Sequence, residues 1–226
     1  VQVFGKKSPT VYSLLADKNG NIWIGAENAA VYRFDGKAFS NILYSPTGKE
    51  VHPAPIQCIY QDKKGNIWIA SLAHGGLMQY NGKTWTNFTK KDGLANGRII
   101  SMAEDKTGNI WFGGGENGLS RYDGKTFSNF SVNDGLCENN ITSIIEDKQG
   151  KLWFCSDIIN ASIGGGICRY DGKSFIGSNT KDGPTKNGYW IMLEDKSGNI
   201  WIGGRQASLI RYNGKSFIDV VASGAK

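Results

Sequence analysis

Few side chains in this sequence of 226 residues have the types and the spacing that catalysis requires. Its two histidines, His52 and His74, belong to no cluster with the spacing of a metal site. Glu27 and Glu116 could serve as the paired carboxylates of glycoside hydrolysis, which lie about 5–10 Å apart in such enzymes. No nucleophile motif and no nucleotide-binding loop is found. We therefore expect no metal and no cofactor, and we favour a non-enzymatic protein.

A second set of side chains suits the binding of a small polar ligand. Tyr189 and Trp190 form an aromatic pair that no equivalent segment carries, and such a ring could stack on a sugar. The alternative is that Trp190 only fills the centre of the fold and that the polar residues are ordinary solvated side chains. The predicted ligand-binding residues, of which the last four share one loop level, are Tyr189, Trp190, Arg98, Asn140, His74, Glu27, Glu116 and Arg205.

These residues are positioned by a segment that occurs five times, Asp-Lys-x-Gly-Asn-Ile-Trp or a close variant of it. Its first residue recurs at intervals of 45, 43, 42 and 48 residues. A second motif, Tyr/Phe-Asp/Asn-Gly-Lys-x-Phe/Trp, follows each copy. A period of about 40–50 residues that consists of short strands and tight turns is typical of propeller blades. The five copies are Asp17–Trp23, Asp62–Trp68, Asp105–Trp111, Asp147–Trp153 and Asp195–Trp201.

The repeats predict an all-β fold, a five-bladed β-propeller with four antiparallel strands per blade. We expect one domain over residues 1–226, with blades at 11–42, 56–89, 99–132, 141–176 and 189–221. Residues 1–10 are predicted to close the ring, because the two chain ends together supply one further period. The repeated tryptophans are expected to form the core between blades, and the turn aspartates are expected to be structural.

The two kinds of turn that hardly vary should lie on one face of the propeller. The other face carries loops that vary in length and chemistry, and binding residues usually lie in such loops on a rigid scaffold. Two of these segments are long. Ser156–Gly165, which contains Asp157 and Asn160, could lean over the central channel, and Leu43–Ala54 is an extended connection between blades.

The charge and the apolar content exclude several classes of protein. The net charge is +6, but ten of the 26 basic residues are repeat lysines in tight turns. This pattern indicates a solvated face and not a nucleic-acid surface. No apolar run is long enough to span a bilayer and no signal peptide is visible, so we expect no membrane span in this chain. We expect a monomer.

The four cysteines form no CxxC pair. Cys155 and Cys168 are predicted on neighbouring strands of the fourth repeat and could be joined by a disulfide bond. Buried free thiols are the default expectation, and the sequence favours them.

The motifs closely resemble the two-component regulator propeller repeat. The stretch DGLCENNITSIIEDKQGKLWF, which ends with Asp147–Phe154, is the best match. The segment Asp92–Phe127, with the sequence DGLANGRIISMAEDKTGNIWFGGGENGLSRYDGKTF, is equally close, and nearly the whole chain shares the resemblance. In that family the repeats usually form the periplasmic sensor part of hybrid two-component receptors, often responsive to glycans. The resemblance therefore implies a sensor-type propeller in a periplasmic or extracellular location.

Together these features predict a non-enzymatic propeller that binds a carbohydrate or another small polar ligand on its variable face, near the channel. Two alternatives stay open. One is a scaffold whose partner is a protein, and the other is a propeller lyase or glycoside hydrolase that uses Glu27, Glu116, His74 or Arg98.

Overall fold

In a computed structural model of the chain, the described residues are 10–27, 30–42, 55–71, 76–157, 166–177 and 188–221. They form five antiparallel sheets of four strands each, and in every sheet the strands lie in chain order. The prediction of an all-β, five-bladed propeller with four antiparallel strands per blade is confirmed. Three short 3-10 helices, Lys90–Asp92, Val132–Asp134 and Arg205–Ala207, complete the described elements.

The strands are as follows. Blade 1 contains β1 (Val11–Ala16), β2 (Ile22–Ala26), β3 (Val31–Phe34) and β4 (Phe39–Asn41). Blade 2 contains β5 (Ile56–Gln61), β6 (Ile67–Ser71), β7 (Gly76–Tyr80) and β8 (Trp85–Phe88). Blade 3 contains β9 (Ser101–Glu104), β10 (Ile110–Gly113), β11 (Leu119–Tyr122) and β12 (Phe127–Phe130). Blade 4 contains β13 (Ile141–Glu146), β14 (Leu152–Ser156), β15 (Ile167–Tyr170) and β16 (Phe175–Gly177). Blade 5 contains β17 (Tyr189–Glu194), β18 (Ile200–Gly204), β19 (Leu209–Tyr212) and β20 (Phe217–Asp219).

The repeated Asp-Lys-x-Gly segment forms the turn between the first two strands of each blade. In blade 3, the Asp105 carboxylate accepts hydrogen bonds from the amides of Thr107 and Asn109, both at 2.9 Å. It also accepts one from the indole Nε1 of Trp111 at 2.9 Å. Gly108 takes the positive φ, 86°, that the turn needs. The repeat sequence therefore encodes a turn in which one carboxylate also fixes the orientation of the core tryptophan.

The chain divides into two compact units, residues 1–99 with blades 1 and 2 and residues 100–226 with blades 3 to 5. Within each unit, neighbouring blades pack in the same way. Ile56 and Ile59 of blade 2 lie against Trp23 of blade 1 in one buried cluster. Tyr189 and Met192 of blade 5 pack against blade 4 in another. The first and fourth residues of an inner strand therefore face the preceding blade.

Polar contacts also recur between the blades of a unit. The backbone amide of Lys148, in the turn of blade 4, donates to the Glu194 carboxylate of blade 5 at 3.0 Å. The Lys106 amide donates in the same way to Glu146 at 2.5 Å. In the first unit the acceptor is an amide oxygen, that of Gln61, which lies 2.7 Å from the Lys18 nitrogen. The last residue of each of these inner strands thus binds the turn of the blade before it.

One disulfide bond joins Cys137, in the connection before blade 4, to Cys168 in β15, with a Cα–Cα distance of 5.7 Å. The possible pairing of Cys155 with Cys168 is therefore wrong, and so is the favoured expectation of buried free thiols for Cys137 and Cys168. Cys155 is a buried free thiol. Cys155 of β14 is paired directly with Ile167 of β15. Cys168 is the next residue of β15, so its side chain points to the opposite side of the sheet from that of Cys155. Burial raises the pKa of the Cys155 thiol to about 12.

The segments 1–9, 28–29, 43–54, 72–75, 158–165, 178–187 and 222–226 lie outside the described residues. They include the proposed ring-closing segment and most of both long loops. The closure of the ring and the assignment of residues 1–226 to one domain stay predictions. No helix among the described residues is long and apolar enough to cross a membrane.

Candidate functional site

The predicted binding residues are divided between the two units. Glu27 and Arg98 belong to the first unit, and His74 lies outside the described residues. The second unit holds the larger group, which consists of Glu116, Asn140, Tyr189, Trp190 and Arg205. The paired carboxylates proposed from the sequence, Glu27 and Glu116, belong to different units, and their pairing stays a prediction.

Trp190 occupies the bulged position of the inner strand of blade 5. The register of β17 against β18 shifts between Tyr189 and Ile191, so Trp190 is the extra residue. The extra residue of a bulge has no paired residue on the neighbouring strand, and its side chain departs from the regular alternation of the strand. The Trp190 side chain is 52% exposed, whereas the repeat tryptophan Trp111 is completely buried. A large aromatic surface is therefore available on the inner strand of blade 5.

Arg205 covers part of this aromatic surface. Its guanidinium carbon lies 5.7 Å from the centroid of the Trp190 ring, a distance typical of a cation–π contact. Arg205 follows β18 directly, and its amide donates to the Gly188 carbonyl at 2.9 Å. This backbone bond ties the loop after the second strand to the residue before the first strand. The fold thus brings a cation to the ring.

Asp157 holds the other side of the guanidinium. Arg205 donates from Nε and from Nη2 to the two carboxylate oxygens of Asp157, each at 2.8 Å. These hydrogen bonds, and the negative charge of Asp157, raise the pKa of Arg205 above its ordinary value. Because the bidentate geometry fixes the plane of the guanidinium, Arg205 is pre-organised and its remaining N–H groups can reach a ligand. We call Trp190, Arg205 and Asp157 the aromatic–ion cluster.

The loop that carries Arg205 also contains a strained backbone position. Ala207 has φ 56°, and it is the one residue other than glycine with positive φ in the part of the chain that the structure describes. A non-glycine residue in this region costs roughly 1 kcal/mol or more, and such strain is concentrated at functional sites. The strained residue lies two positions after the arginine of the cluster.

The other predicted residues are placed less favourably. Tyr189 is only 1% exposed, and its ring packs in the core between blades 4 and 5. This burial raises the pKa of Tyr189 to about 12 and leaves no ring surface for a ligand. Asn140 is half-buried just before β13, and Arg98 and Glu116 are exposed in connecting segments. Glu27 is exposed after β2, and its amide donates to the Thr10 carbonyl at 3.0 Å.

Two cavities lie between blades 4 and 5, away from the cluster. One has a volume of about 340 Å³ and is lined by Trp153, Arg169 and Tyr212 among others. The second, of about 350 Å³, is lined by turn residues such as Lys148 and Lys196. None of the predicted binding residues lines either cavity. Since these linings are mainly repeat positions, we interpret the cavities as grooves between packed blades.

The described residues were also compared with the requirements of a metal site and of a polar ligand site. Among the described residues, no group of three or more histidine, cysteine or acidic side chains could hold a metal ion. The cluster offers an exposed ring and a fixed ion pair, which can stack on and hydrogen-bond to a polar ring-shaped ligand. The sequence identified Trp190 and Arg205 separately. It named Asp157 only as part of a long loop, because nothing in the sequence indicates which arginine a loop aspartate will meet.

Comparisons with known proteins agree with this fold. A sequence profile described as two component regulator propeller matches five segments, residues 5–28, 51–73, 93–116, 135–157 and 183–206. Each match ends one to three residues beyond the second strand of a blade, so the profile covers the repeated turn and tryptophan of all five repeats. No curated protein sequence matches the chain.

Three solved structures illustrate the likeness. The extracellular domain of a protein from B. thetaiotaomicron, described as a hybrid two component system, is 22% identical with a TM-score of 0.78; the match covers 97% of this chain and 30% of that one. A second extracellular domain from the same organism, described as a one component system, is 21% identical with a TM-score of 0.71, covering 96% and 28%. Virginiamycin B lyase from Staphylococcus aureus is 13% identical with a TM-score of 0.70, covering 95% and 70%. The chain thus spans less than a third of the length of the two extracellular domains.

Proposed function

Because the chain belongs to the two component regulator propeller family, we propose that it is a sensor-type binding domain that recognises a carbohydrate through the aromatic–ion cluster. The observation that carries the proposal is the half-exposed ring of Trp190 beside the guanidinium of Arg205. Sugar rings present flat C–H faces together with hydroxyl groups. An exposed indole suits the first and a fixed arginine–carboxylate pair suits the second.

Two features support a location outside the cytoplasm. The structural relatives from B. thetaiotaomicron are extracellular domains of two component and one component systems. The disulfide bond between Cys137 and Cys168 is a feature of proteins in oxidising compartments. We therefore propose a periplasmic or extracellular location, in which a soluble saccharide can reach the cluster.

The test is a thermal-shift screen of the purified chain against neutral and uronic-acid-containing oligosaccharides, followed by calorimetric titration of each hit. Trp190→Ala should weaken binding by about fivefold to tenfold, because a stacked ring contributes roughly 1 kcal/mol beyond its buried area. Arg205→Lys keeps the charge but loses the bidentate pair, and it should weaken binding as well. Ile176→Ala is the control, since Ile176 is 44% exposed on the outermost strand of blade 4.

Three outcomes would contradict the proposal. If no oligosaccharide binds, a protein partner becomes the better hypothesis. If a saccharide binds equally well to the Trp190→Ala variant, the site lies elsewhere. If the wild type degrades the saccharide while Glu116→Gln binds it intact, the protein is an enzyme and not a sensor.

A further inference from the structure

The cavity of about 340 Å³ between blades 4 and 5 has a filled counterpart between blades 3 and 4. There the ring of Phe130 stacks on the repeat tryptophan Trp111, with ring centroids 5.4 Å apart and an angle of 23° between the planes. Phe130 also meets two rings of the following blade, Tyr170 at 6.3 Å and Phe175 at 5.5 Å. The guanidinium carbon of Arg121 lies 5.6 Å from its centroid. Three rings and one cation therefore surround this phenyl ring.

The same four groups recur one blade later, and there they line the cavity. The strand pairings identify them as Trp153, Arg169, Tyr212 and Phe217. The Trp153 and Tyr212 ring centroids lie 5.1 Å apart, and the Arg169 guanidinium carbon lies 5.5 Å from the Trp153 ring. All of these residues belong to the second unit. The arrangement that holds a ring in one interface is thus repeated in the next.

The ring itself is what the outer strand of blade 4 lacks. Phe130 in blade 3 and Phe88 in blade 2 both stack on the repeat tryptophan of their own blade. The outer strand of blade 4 ends one position earlier, at Gly177, and the next residue in the sequence is Ser178, which carries no ring. Among the described residues, no ring stacks on Trp153 in this way. The cavity therefore occupies the place that a phenyl ring fills in blade 3.

The polar part of the cavity lining is positively charged. Arg169 and Lys215 line the cavity, and its described lining contains no acidic side chain. Arg169 Nε is buried and has no hydrogen-bond acceptor in the described part of the chain. Arg121 Nε is also buried without an acceptor, but Phe130 covers its guanidinium, whereas Arg169 borders the cavity. A negative group on a bound ring would accept a charge-assisted hydrogen bond from Arg169.

We propose that this cavity binds a small aromatic carboxylate of the benzoate class. Its phenyl ring takes the place that Phe130 has in blade 3, against the rings of Trp153 and Tyr212, and its carboxylate faces Arg169 and Lys215. A cavity of roughly 150 Å³ already holds a benzene-sized ring in a protein interior, so this one also has room for the carboxylate. A phenylalanine side chain of a peptide would fill the ring space but leave both cations without a counter-charge. The cavity shares no residue with the aromatic–ion cluster, so the two proposals can fail separately.

Titration of the ¹⁵N-labelled chain with sodium benzoate tests the site. The indole Nε1 of Trp153 donates to Asp147 at 2.8 Å, and Trp153→Phe assigns its N–H signal. Benzoate should move this signal and leave that of Trp111 in place, because Phe130 already covers Trp111. Acetate, which has the charge without the ring, and benzyl alcohol, which has the ring without the charge, should each bind at least about tenfold more weakly. An unmoved Trp153 signal at up to about 20 mM benzoate, or equal affinity for either control compound, would overturn the proposal.

A matched pair of arginine variants tests the part of the carboxylate. Arg169→Gln should weaken benzoate binding by about tenfold and leave the binding of benzyl alcohol unchanged. Arg121→Gln is the control, because it loses the same contact with a repeat tryptophan in an interface whose ring space is filled. This control should bind benzoate as the wild type does. Equal losses of affinity in the two variants, or no loss in Arg169→Gln, would refute the site.

Discussion

The repeated turn shows how one side chain can determine a local fold. The carboxylate of each turn aspartate accepts from the indole nitrogen of the repeat tryptophan, and in blade 1 the Asp17–Trp23 bond is 2.8 Å long. Burial works against the charged form of Asp17, but hydrogen bonds from Trp23 and Asn21 outweigh it and lower its pKa. These aspartates were predicted from sequence to be structural because short acidic side chains bind their own turn amides.

Asp105→Asn should destabilise the protein. The carboxylate of Asp105 accepts from two backbone amides, from Asn109 Nδ2 and from Trp111 Nε1, and an amide group can offer only one oxygen. At least one donor loses its partner, which costs about 1–3 kcal/mol. Urea unfolding of the variant measures this cost. An unchanged midpoint would show that the turn does not depend on the carboxylate.

The same carboxylates predict sensitivity to acid. Burial raises the pKa of Asp105, but hydrogen bonds from Thr107, Trp111 and Asn109 lower it by a larger amount. The net shift of the pKa is therefore downwards. A group whose folded pKa is depressed stabilises the fold above its unfolded pKa, about 3.9, and this stability is lost as pH falls below that value. The melting temperature should therefore drop as the pH falls below about 4. In Asp105→Asn, which cannot titrate at this site, the drop should be smaller.

At the scale of the element, the bulge in the inner strand decides which side chains are displayed. The same register shift occurs in β1, β5, β13 and β17, so the repeat encodes an out-turned position in each of these strands. Sequence comparison found the unusual residue at this position, Trp190. It did not distinguish Trp190 from its neighbour Tyr189, because a one-residue irregularity reverses the expected alternation.

Packing between blades gives a matched pair of glycine substitutions. Gly113→Ala should destabilise the protein by about 1–3 kcal/mol, because the new Cβ would lie 2.8 Å from Ile141 and 3.0 Å from Ile144. Gly203→Ala, at the same position of blade 5, meets only Ile191 at 3.3 Å and should be tolerated. Thermal unfolding of both variants is the measurement. Equal losses would mean that the space beside the two glycines is equally filled.

The disulfide bond ties the connection before blade 4 to the third strand of that blade. It joins residues 31 positions apart, so its removal should destabilise the protein by about 2–4 kcal/mol, chiefly by freeing the unfolded chain. Replacing Cys137 and Cys168 with serine tests this loss by thermal unfolding. Cys155→Ser serves as the free-thiol control, and reducing agent should destabilise this control as it does the wild type. A reductant that changes neither protein would contradict the bond.

At the scale of the whole molecule, the repeat made the fold predictable and the site only partly so. Five copies of one motif imply five blades, because each copy carries its own turns and its own core tryptophan. The pairing of Arg205 with Asp157 joins residues 48 positions apart on two blades, and repeat comparison says nothing about such pairs. The disulfide partner of Cys168 was missed for a similar reason, since Cys137 lies outside the strands.

The central claim is that Trp190 contacts the ligand. The chain contains seven tryptophans, and five of them are repeat residues whose indole nitrogens bind turn aspartates. Fluorine NMR of protein labelled with 5-fluorotryptophan resolves them, and Trp190→Phe assigns the resonance of Trp190. Titration with an oligosaccharide from the thermal-shift screen should move that resonance and leave the repeat residues in place. A bound saccharide that leaves the Trp190 resonance unmoved would contradict the account.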